Sequence, residues 1–151
     1  MGYCEDMREM IGDSPLIIVR PSVAIINNKG EILLNRNAGG MWTIPGETLQ
    51  LNESVEDCIT RLVIDNIGLK IKSLKLLGVY SGFTNPVDER YHSVAIGYLC
   101  TEYEGEISHD SNGGIEAIFF KLNQLPEEIE PFIKGKLVKL KGHLENIRPS
   151  S

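Results

Sequence analysis

The segment from Ser54 to Ile67 predicts an amphipathic helix. With about 100° of rotation per residue, its apolar side chains form one continuous arc, which contains Val55, Cys58, Ile59, Leu62, Val63 and Ile67. Asn66 is a polar residue within that arc, and Asp65 lies at its edge. Ser54 is a favourable N-cap and Gly68 a common helix terminator. The pattern is therefore typical of a helix that packs one face on a core.

The segments around this helix predict strands. Two β-rich runs flank the turn signal "NNKG". Pro21 interrupts the first run, so this strand is expected to begin after Pro21 or to bulge there. Residues 70–83, 91–100 and 115–122 predict further strands, and residues 102–107 a turn of the chain. A short helix is predicted at residues 3–12 and a closing helix from Pro131. Strands before, between and after two substantial helices predict an α+β fold with a mixed sheet.

The length of 151 residues suits one domain. We expect a single domain over residues 1–151, with a helical segment at 1–14 and a core at 15–147. The cysteines Cys4, Cys58 and Cys100 are odd in number and far apart, so no disulfide framework is expected. Cys58 and Cys100 have apolar neighbours and are expected to be buried free thiols, which fits a reducing cytoplasm.

The charge pattern limits the partners. A formal charge of −6 argues against a general nucleic-acid binder, which usually presents a basic face. The first residues, "MGYCEDMREMIG", lack the apolar core of a signal peptide. No apolar run approaches the roughly 20 residues needed to span a bilayer. We therefore expect a cytoplasmic protein with neither a nucleic-acid nor a membrane partner.

A series of motifs along the chain resembles the Nudix (MutT-like) hydrolase family. The family signature is a Gly, five residues, a Glu, seven residues, then Arg-Glu-apolar-any-Glu-Glu-any-Gly-apolar. In that register the chain matches at Glu53, Arg61, Val63, Gly68 and Leu69. The preceding loop is similar to the family's lead-in at Leu33, Leu34, Arg36, Trp42, Pro45 and Gly46. The stretch "NPVDERYHSVAIGYL" is similar to the ADP-ribose-cleaving branch, and "FFKLNQLP" resembles the segment before the family's last helix.

The resemblance implies a fold, an activity and partners. It implies an α/β/α sandwich with a mixed β-sheet, a Nudix helix and a C-terminal helix. It further implies cleavage of a pyrophosphate bond in a nucleoside-diphosphate-linked small molecule, with Mg²⁺ or Mn²⁺ as cofactor. The resemblance also implies a homodimer, an assembly that is common among similar proteins.

The departures from the signature lie at its chemical positions. Glu47 replaces the opening Gly, Leu62 replaces the Glu after the Arg, and Asp65 and Asn66 replace the Glu pair. In the family these helix positions hold the metal ion. Because Mg²⁺ requires anionic oxygen ligands, and only Asp65 still supplies one there, we expect turnover to be weak or lost.

The resemblance assigns candidate site residues. The candidate catalytic residues are Glu53, Arg61 and Asp65. The candidate metal ligands are Asp65, Glu53, Glu47 and the backbone of Gly46. The candidate substrate contacts are Arg36, Trp42, Asp88, Arg90, Asn66 and Glu116. Glu47, Asp110 or Glu116 are candidates to compensate for the lost ligands.

Each assignment has a structural alternative. Glu53 and Arg61 suit an ion pair between loop and helix. Trp42 either buries its ring under the loop or stacks on a base. Asp88 and Arg90 belong either to a plain surface loop or to the border of the substrate site. At the level of function the alternatives are a Nudix hydrolase and a non-catalytic module of the same fold that binds a nucleotide or ADP-ribose, with no cofactor.

Overall fold

The computed structural model describes residues 2–84, 90–108, 115–131, 133–137 and 140. Its helices are α1 (Tyr3–Ile11) and α2 (Val55–Asn66), together with helical positions at 131, 133–137 and 140, here called α3. The strands are β1 (Leu16–Ile25), β2 (Ile32–Arg36), β3 (Lys70–Ile71), β4 (Lys75–Thr84), β5 (Tyr91–Cys100), β6 (Tyr103–Glu104) and β7 (Glu116–Phe120). None of the described helices is both long and apolar enough to cross a membrane.

The strands pair in both directions, as a mixed sheet requires. The central sheet has the order β1-β5-β4. β1 runs parallel to β5, and β4 runs antiparallel to β5. Two further antiparallel pairs join β2 to β7 and β3 to β6. The α+β class with a mixed sheet is confirmed.

Alternate residues of the strands pack on opposite layers. Val23 and Ile25 of β1 contact the cluster that includes the buried face of α2. Ala24 and Ile26 contact the cluster that includes the α3 residues Ile133, Leu137 and Leu140. Successive side chains of a strand point to opposite faces, so the sheet carries helices on both sides. This arrangement is the expected α/β/α sandwich.

Helix α2 has the predicted caps and the predicted buried face. The Ser54 hydroxyl accepts a hydrogen bond from the Asp57 backbone N–H at 3.0 Å. Gly68, just beyond the helix, has φ of 98°, which a side chain rarely permits. The buried residues of the apolar arc are Cys58, Ile59, Leu62, Val63 and Ile67.

The expectation that the first strand begins after Pro21 or bulges there was wrong. β1 passes through Pro21 without a break and pairs with β5 along Leu16–Ile25. The backbone N–H groups of Leu16 and Ile26 point toward β5 and donate to the carbonyls of Arg90 and Cys100. The odd-numbered position 21 faces the other side, where the Pro21 carbonyl accepts the Glu47 N–H at 3.1 Å. The missing proline N–H therefore removes no bond between β1 and β5.

Other element boundaries also differ from the expectations. The turn at "NNKG" forms, with the Gly30 N–H donating to Asn27 at 3.0 Å. The runs on either side of it join through an isolated bridge between Ile26 and Ile32, because β2 forms its ladder with β7. Residues 70–84 form the two strands β3 and β4 instead of one. The predicted turn at residues 102–107 contains β6, which pairs with β3.

Gly68 is a point where two segments come close together. A Cβ at Gly68 would lie 3.2 Å from the Glu106 carbonyl oxygen and 3.3 Å from the Ser108 nitrogen. The Ser108 N–H donates to the Ile67 carbonyl at 2.7 Å, which holds the segment at residues 106–108 against the end of α2. Gly39 also has a positive φ, of 77°, but has open space around it.

We therefore expect Gly68→Ala to lower the free energy of unfolding by about 2–4 kcal/mol, from backbone strain and close contact together. Gly39→Ala is the matched control and should cost about 1 kcal/mol from backbone strain alone. Urea denaturation of both variants measures the difference. Equal losses would show that the contact with residues 106–108 contributes nothing.

Candidate functional site

The loop before α2 lies along the free edge of β1. The Val23 N–H donates to the Pro45 carbonyl at 3.0 Å, and the Leu49 N–H donates to the Val19 carbonyl at 2.8 Å. A Cβ at Gly46 would lie 3.1 Å from the Pro21 carbonyl oxygen, so a residue without a side chain suits this approach. The loop is thereby held against the sheet, with Glu47 on the same side of the molecule as α2.

The Arg61 guanidinium bonds with both acids of the loop. Its Nε and Nη2 donate to Glu53 Oε2 and Oε1, each at 3.1 Å. Its Nη1 donates to Glu47 Oε2 at 3.1 Å. The structure therefore brings Glu47, Glu53 and Arg61 together as one ion-paired group, here called the Arg61 network.

The Arg61 network has a clear electrostatic effect. The hydrogen bonds from Arg61 hold the pKa of Glu53 below its ordinary value, and the Gln50 backbone N–H adds to this effect. The hydrogen bond with Glu53 likewise raises the pKa of Arg61. Burial raises the pKa of the Cys58 thiol to about 12, so this thiol is neutral at pH 7. Cys58 and Cys100 are buried free thiols, as predicted.

The three helix positions that carry acids in the signature differ in their surroundings. Leu62 is 1% exposed and belongs to the core cluster on α2. Asp65 is exposed and Asn66 is half-buried. One of the three positions is therefore an apolar core position in this chain, and a carboxylate stands at another.

Within the part of the chain that the structure describes, the donor set does not fit the divalent metal site that the family resemblance implies. Leu62 offers no oxygen, and both Glu47 and Glu53 already pair with a guanidinium. Among the residues that the structure describes, no three His, Cys, Asp or Glu side chains form a group that could hold a metal ion. Asp88 and Asp110, which the sequence offered as a substrate contact and a replacement ligand, lie outside the described residues.

Three of the candidate substrate contacts lie together in a second group. The Arg36 guanidinium lies over the Trp42 ring, 4.5 Å from its centroid, and pairs with Glu116 at 3.3 Å and Glu128 at 3.2 Å. Trp42 is 5% exposed, and its ring meets Phe120 edge-on at 5.0 Å between centroids. These contacts favour the alternative in which Trp42 packs under the loop. Glu128 was not among the sequence candidates.

Arg90 lies beside the N-terminal helix. Its guanidinium pairs with Asp13 at 2.9 Å. Its backbone carbonyl accepts hydrogen bonds from the Leu16 N–H at 2.8 Å and from Arg8 Nη2 at 3.2 Å. Arg90 therefore joins the start of β5 to the segment after α1.

Gln50 links α1 to the Arg61 network, and sequence reasoning missed it. Its side-chain oxygen accepts the Tyr3 backbone N–H at 2.7 Å, while its own backbone N–H donates to Glu53 Oε1 at 3.0 Å. Between α1 and the loop lies a cavity of about 400 Å³. Its lining residues are Gly2, Cys4, Glu5, Arg20, Gly46, Glu47, Thr48 and Gln50. No local pattern marks a contact between residues 47 positions apart.

The Glu53–Arg61 pair predicts a pH-dependent stability. The pKa of Glu53 in the folded protein lies below its ordinary value of 4.5, so the unfolded chain binds the proton more tightly. The stabilisation is therefore complete above pH 4.5. It is lost as pH falls through the pKa of Glu53 in the folded protein. We expect Glu53→Gln to lower the free energy of unfolding by about 1–2 kcal/mol at pH 7, since solvent partly screens the pair. The difference in free energy of unfolding between this variant and the wild type should narrow below pH 4.5.

Urea denaturation from pH 3 to pH 7 measures this gap. Glu104→Gln is the control, because Glu104 forms an exposed pair with Lys72 that is worth at most about 1 kcal/mol. A gap that stays constant with pH would contradict the assignment of the stabilisation to the charged Glu53 side chain.

Comparison with known proteins indicates the family of this chain. The family model for the NUDIX domain matches residues 18–140. The chain is 33% identical over 118 residues to an ADP-ribose pyrophosphatase from Methanocaldococcus jannaschii, which covers 74% of this chain and 68% of that protein. It is 26% identical over 138 residues to the NAD-capped RNA hydrolase NudC of Pectobacterium carotovorum, and spans about half of that protein's length, 51%.

Solved structures agree on the fold. A MutT NUDIX hydrolase from Burkholderia pseudomallei superposes with a TM-score of 0.70 at 25% identity, over 83% of this chain and 98% of that one. A MutT protein from Methanosarcina mazei Go1 superposes with a TM-score of 0.73 at 19% identity, over 89% of this chain and 98% of that one. The sandwich, the loop-and-helix geometry and the family match lead to one conclusion: the chain belongs to the Nudix family.

Proposed function

We propose that this chain binds a nucleoside-diphosphate-linked small molecule of the ADP-ribose type, and that its metal-dependent hydrolysis of the pyrophosphate bond is weak or lost. The observation that carries this proposal is the Arg61 network. The loop acids that could face a metal ion pair instead with a guanidinium, and Leu62 is part of the core.

The ligand class is supported by the relatives. One relative is an ADP-ribose pyrophosphatase and another is an NAD-capped RNA hydrolase. ADP-ribose and the NAD cap share an adenosine diphosphate group, so a pocket for that group is the common chemical requirement. A pocket can outlast catalysis, because binding and turnover depend on different groups.

The loss of hydrolysis follows from the charge at the helix. Mg²⁺ takes near-octahedral oxygen coordination and is held by carboxylates, and its role in hydrolysis is to neutralise developing charge and to activate water. Position 62 carries an aliphatic side chain and position 66 a neutral amide. Since each 1.4 kcal/mol of lost transition-state stabilisation is about a tenfold loss of rate, removing this role costs several powers of ten.

The rival function is a working pyrophosphohydrolase. It is favoured by family membership, by the retention of Glu53 and Arg61, and by the carboxylate of Asp65 at a signature acid position. The two functions differ in one measurable respect, which is whether the bound molecule is cleaved.

Titration calorimetry and product analysis separate the two. We expect ADP-ribose to bind, and Mg²⁺-dependent release of AMP to stay at least about 100-fold below that of the Methanocaldococcus ADP-ribose pyrophosphatase assayed alongside it. Asp65→Asn should leave binding within about twofold, as should Asp57→Asn, a matched exposed acid on the same helix. Rapid turnover that Asp65→Asn abolishes and Asp57→Asn preserves would establish the hydrolase instead.

Restoring an acid to the helix provides a second measurement. Asn66→Glu places a carboxylate next to Asp65 at a half-buried position, and we expect it to tighten Mn²⁺ binding by about tenfold, because a second anionic oxygen is added. Asn66→Gln is the neutral control. Leu62→Glu is unsuitable, because a charge at a position 1% exposed costs several kcal/mol. Equal Mn²⁺ affinity for the Glu and Gln variants would contradict the argument from ligand charge.

A further inference from the structure

Of the two carboxylates that pair with Arg61, Glu47 is bound less firmly. Glu53 makes two hydrogen bonds with Arg61 and accepts a third from the Gln50 backbone N–H. Glu47 makes one, at 3.1 Å. The Glu47 side chain is 41% exposed, against 16% for Glu53. A partly exposed pair with a single contact contributes little to stability, so Glu47 can leave Arg61 while Glu53 stays.

We propose that Glu47 is a displaceable internal anion, which occupies on Arg61 the place of a phosphate group of the ligand. The inference rests on the proposed function and deepens it, because it names the group that receives the diphosphate. When Glu47 turns away, Arg61 Nη1 presents two free N–H donors while Nε and Nη2 remain on Glu53. The planar, permanently charged guanidinium matches the geometry of phosphate oxygens.

The surroundings of Glu47 have room for such an exchange. Glu47 lines the cavity of about 400 Å³ between α1 and the loop, a volume within the range of about 300–1,000 Å³ found for small-molecule sites. Arg20 lies on the same wall and donates to the Thr48 hydroxyl at 3.0 Å. The cavity therefore has a second cation, Arg20, and a hydroxyl, Thr48, among the residues that line it together with Glu47.

The charge balance makes Glu47 a competitor of the ligand. With both acids in place, the Arg61 network carries a net charge of −1, which follows from one guanidinium and two carboxylates. A diphosphate meets like charge until Glu47 is displaced. Neutralising residue 47 removes both the competitor and the repulsion, so it should strengthen binding of any diphosphate.

Calorimetry in metal-free buffer, with ADP-ribose and inorganic pyrophosphate as probes, tests the exchange. We expect Glu47→Gln to bind both probes about fivefold more tightly than the wild type. Asp57→Asn is the matched control, because exposed Asp57 lies on α2 close in sequence to Arg61 but belongs neither to the residues that line the cavity nor to the Arg61 network. It should change affinity by less than about twofold. Arg61→Lys in the Glu47→Gln background should remove the gain, and thermal unfolding verifies that each variant is folded.

The outcomes distinguish this inference from the proposed function. If the wild type binds ADP-ribose and Glu47→Gln does not bind it more tightly, the displacement is wrong while the binding function stands. If Asp57→Asn strengthens binding as much as Glu47→Gln, the effect comes from the overall negative charge of this side of the protein and the exchange on Arg61 is refuted. If neither the wild type nor Glu47→Gln binds either probe, the proposed function fails together with this inference.

Discussion

The fork of hydrogen bonds from Arg61 is the interaction on which the candidate site depends. It ties α2 to the loop through Glu53 and Glu47. Gln50 connects the same group to the N-terminus of α1, because its backbone N–H donates to Glu53 and its side-chain oxygen accepts the Tyr3 N–H. A bidentate arginine–carboxylate pair sets both distance and orientation, so the loop has one preferred position on the helix.

The layers of the fold explain why these groups meet. The sheet residues Val23 and Ile25 bury the apolar face of α2, and this contact fixes the side of the helix that remains for Arg61. The loop reaches the helix because it runs along the β1 edge, bonded at Pro21 and Val23. The same burial makes Leu62 a core residue. In this chain a position that carries an acid in the family signature therefore contributes to packing instead.

Much of the local structure was predictable because its causes are local. The start and end of α2 follow from Ser54 and Gly68, and its buried face follows from the helical period. The path of β1 through Pro21 was not predictable, because it depends on which edge of the strand faces β5. The break between β3 and β4 depends in the same way on a distant partner, since β3 pairs with β6. Local propensity does not contain such partners.

The sequence by itself determined the family register, the helix with its caps, and the identity of the side chains at the signature positions. From those identities alone follows the shortage of carboxylates on α2, because no fold can make leucine or asparagine an anion. Only the tertiary structure decided what the remaining acids do. Glu47 and Glu53 are separated from Arg61 by 14 and 8 residues, and their pairing arises because the loop is bonded to β1 while α2 is packed on the same sheet. Charge is a property of the residue, but the partner of a charge is a property of the fold.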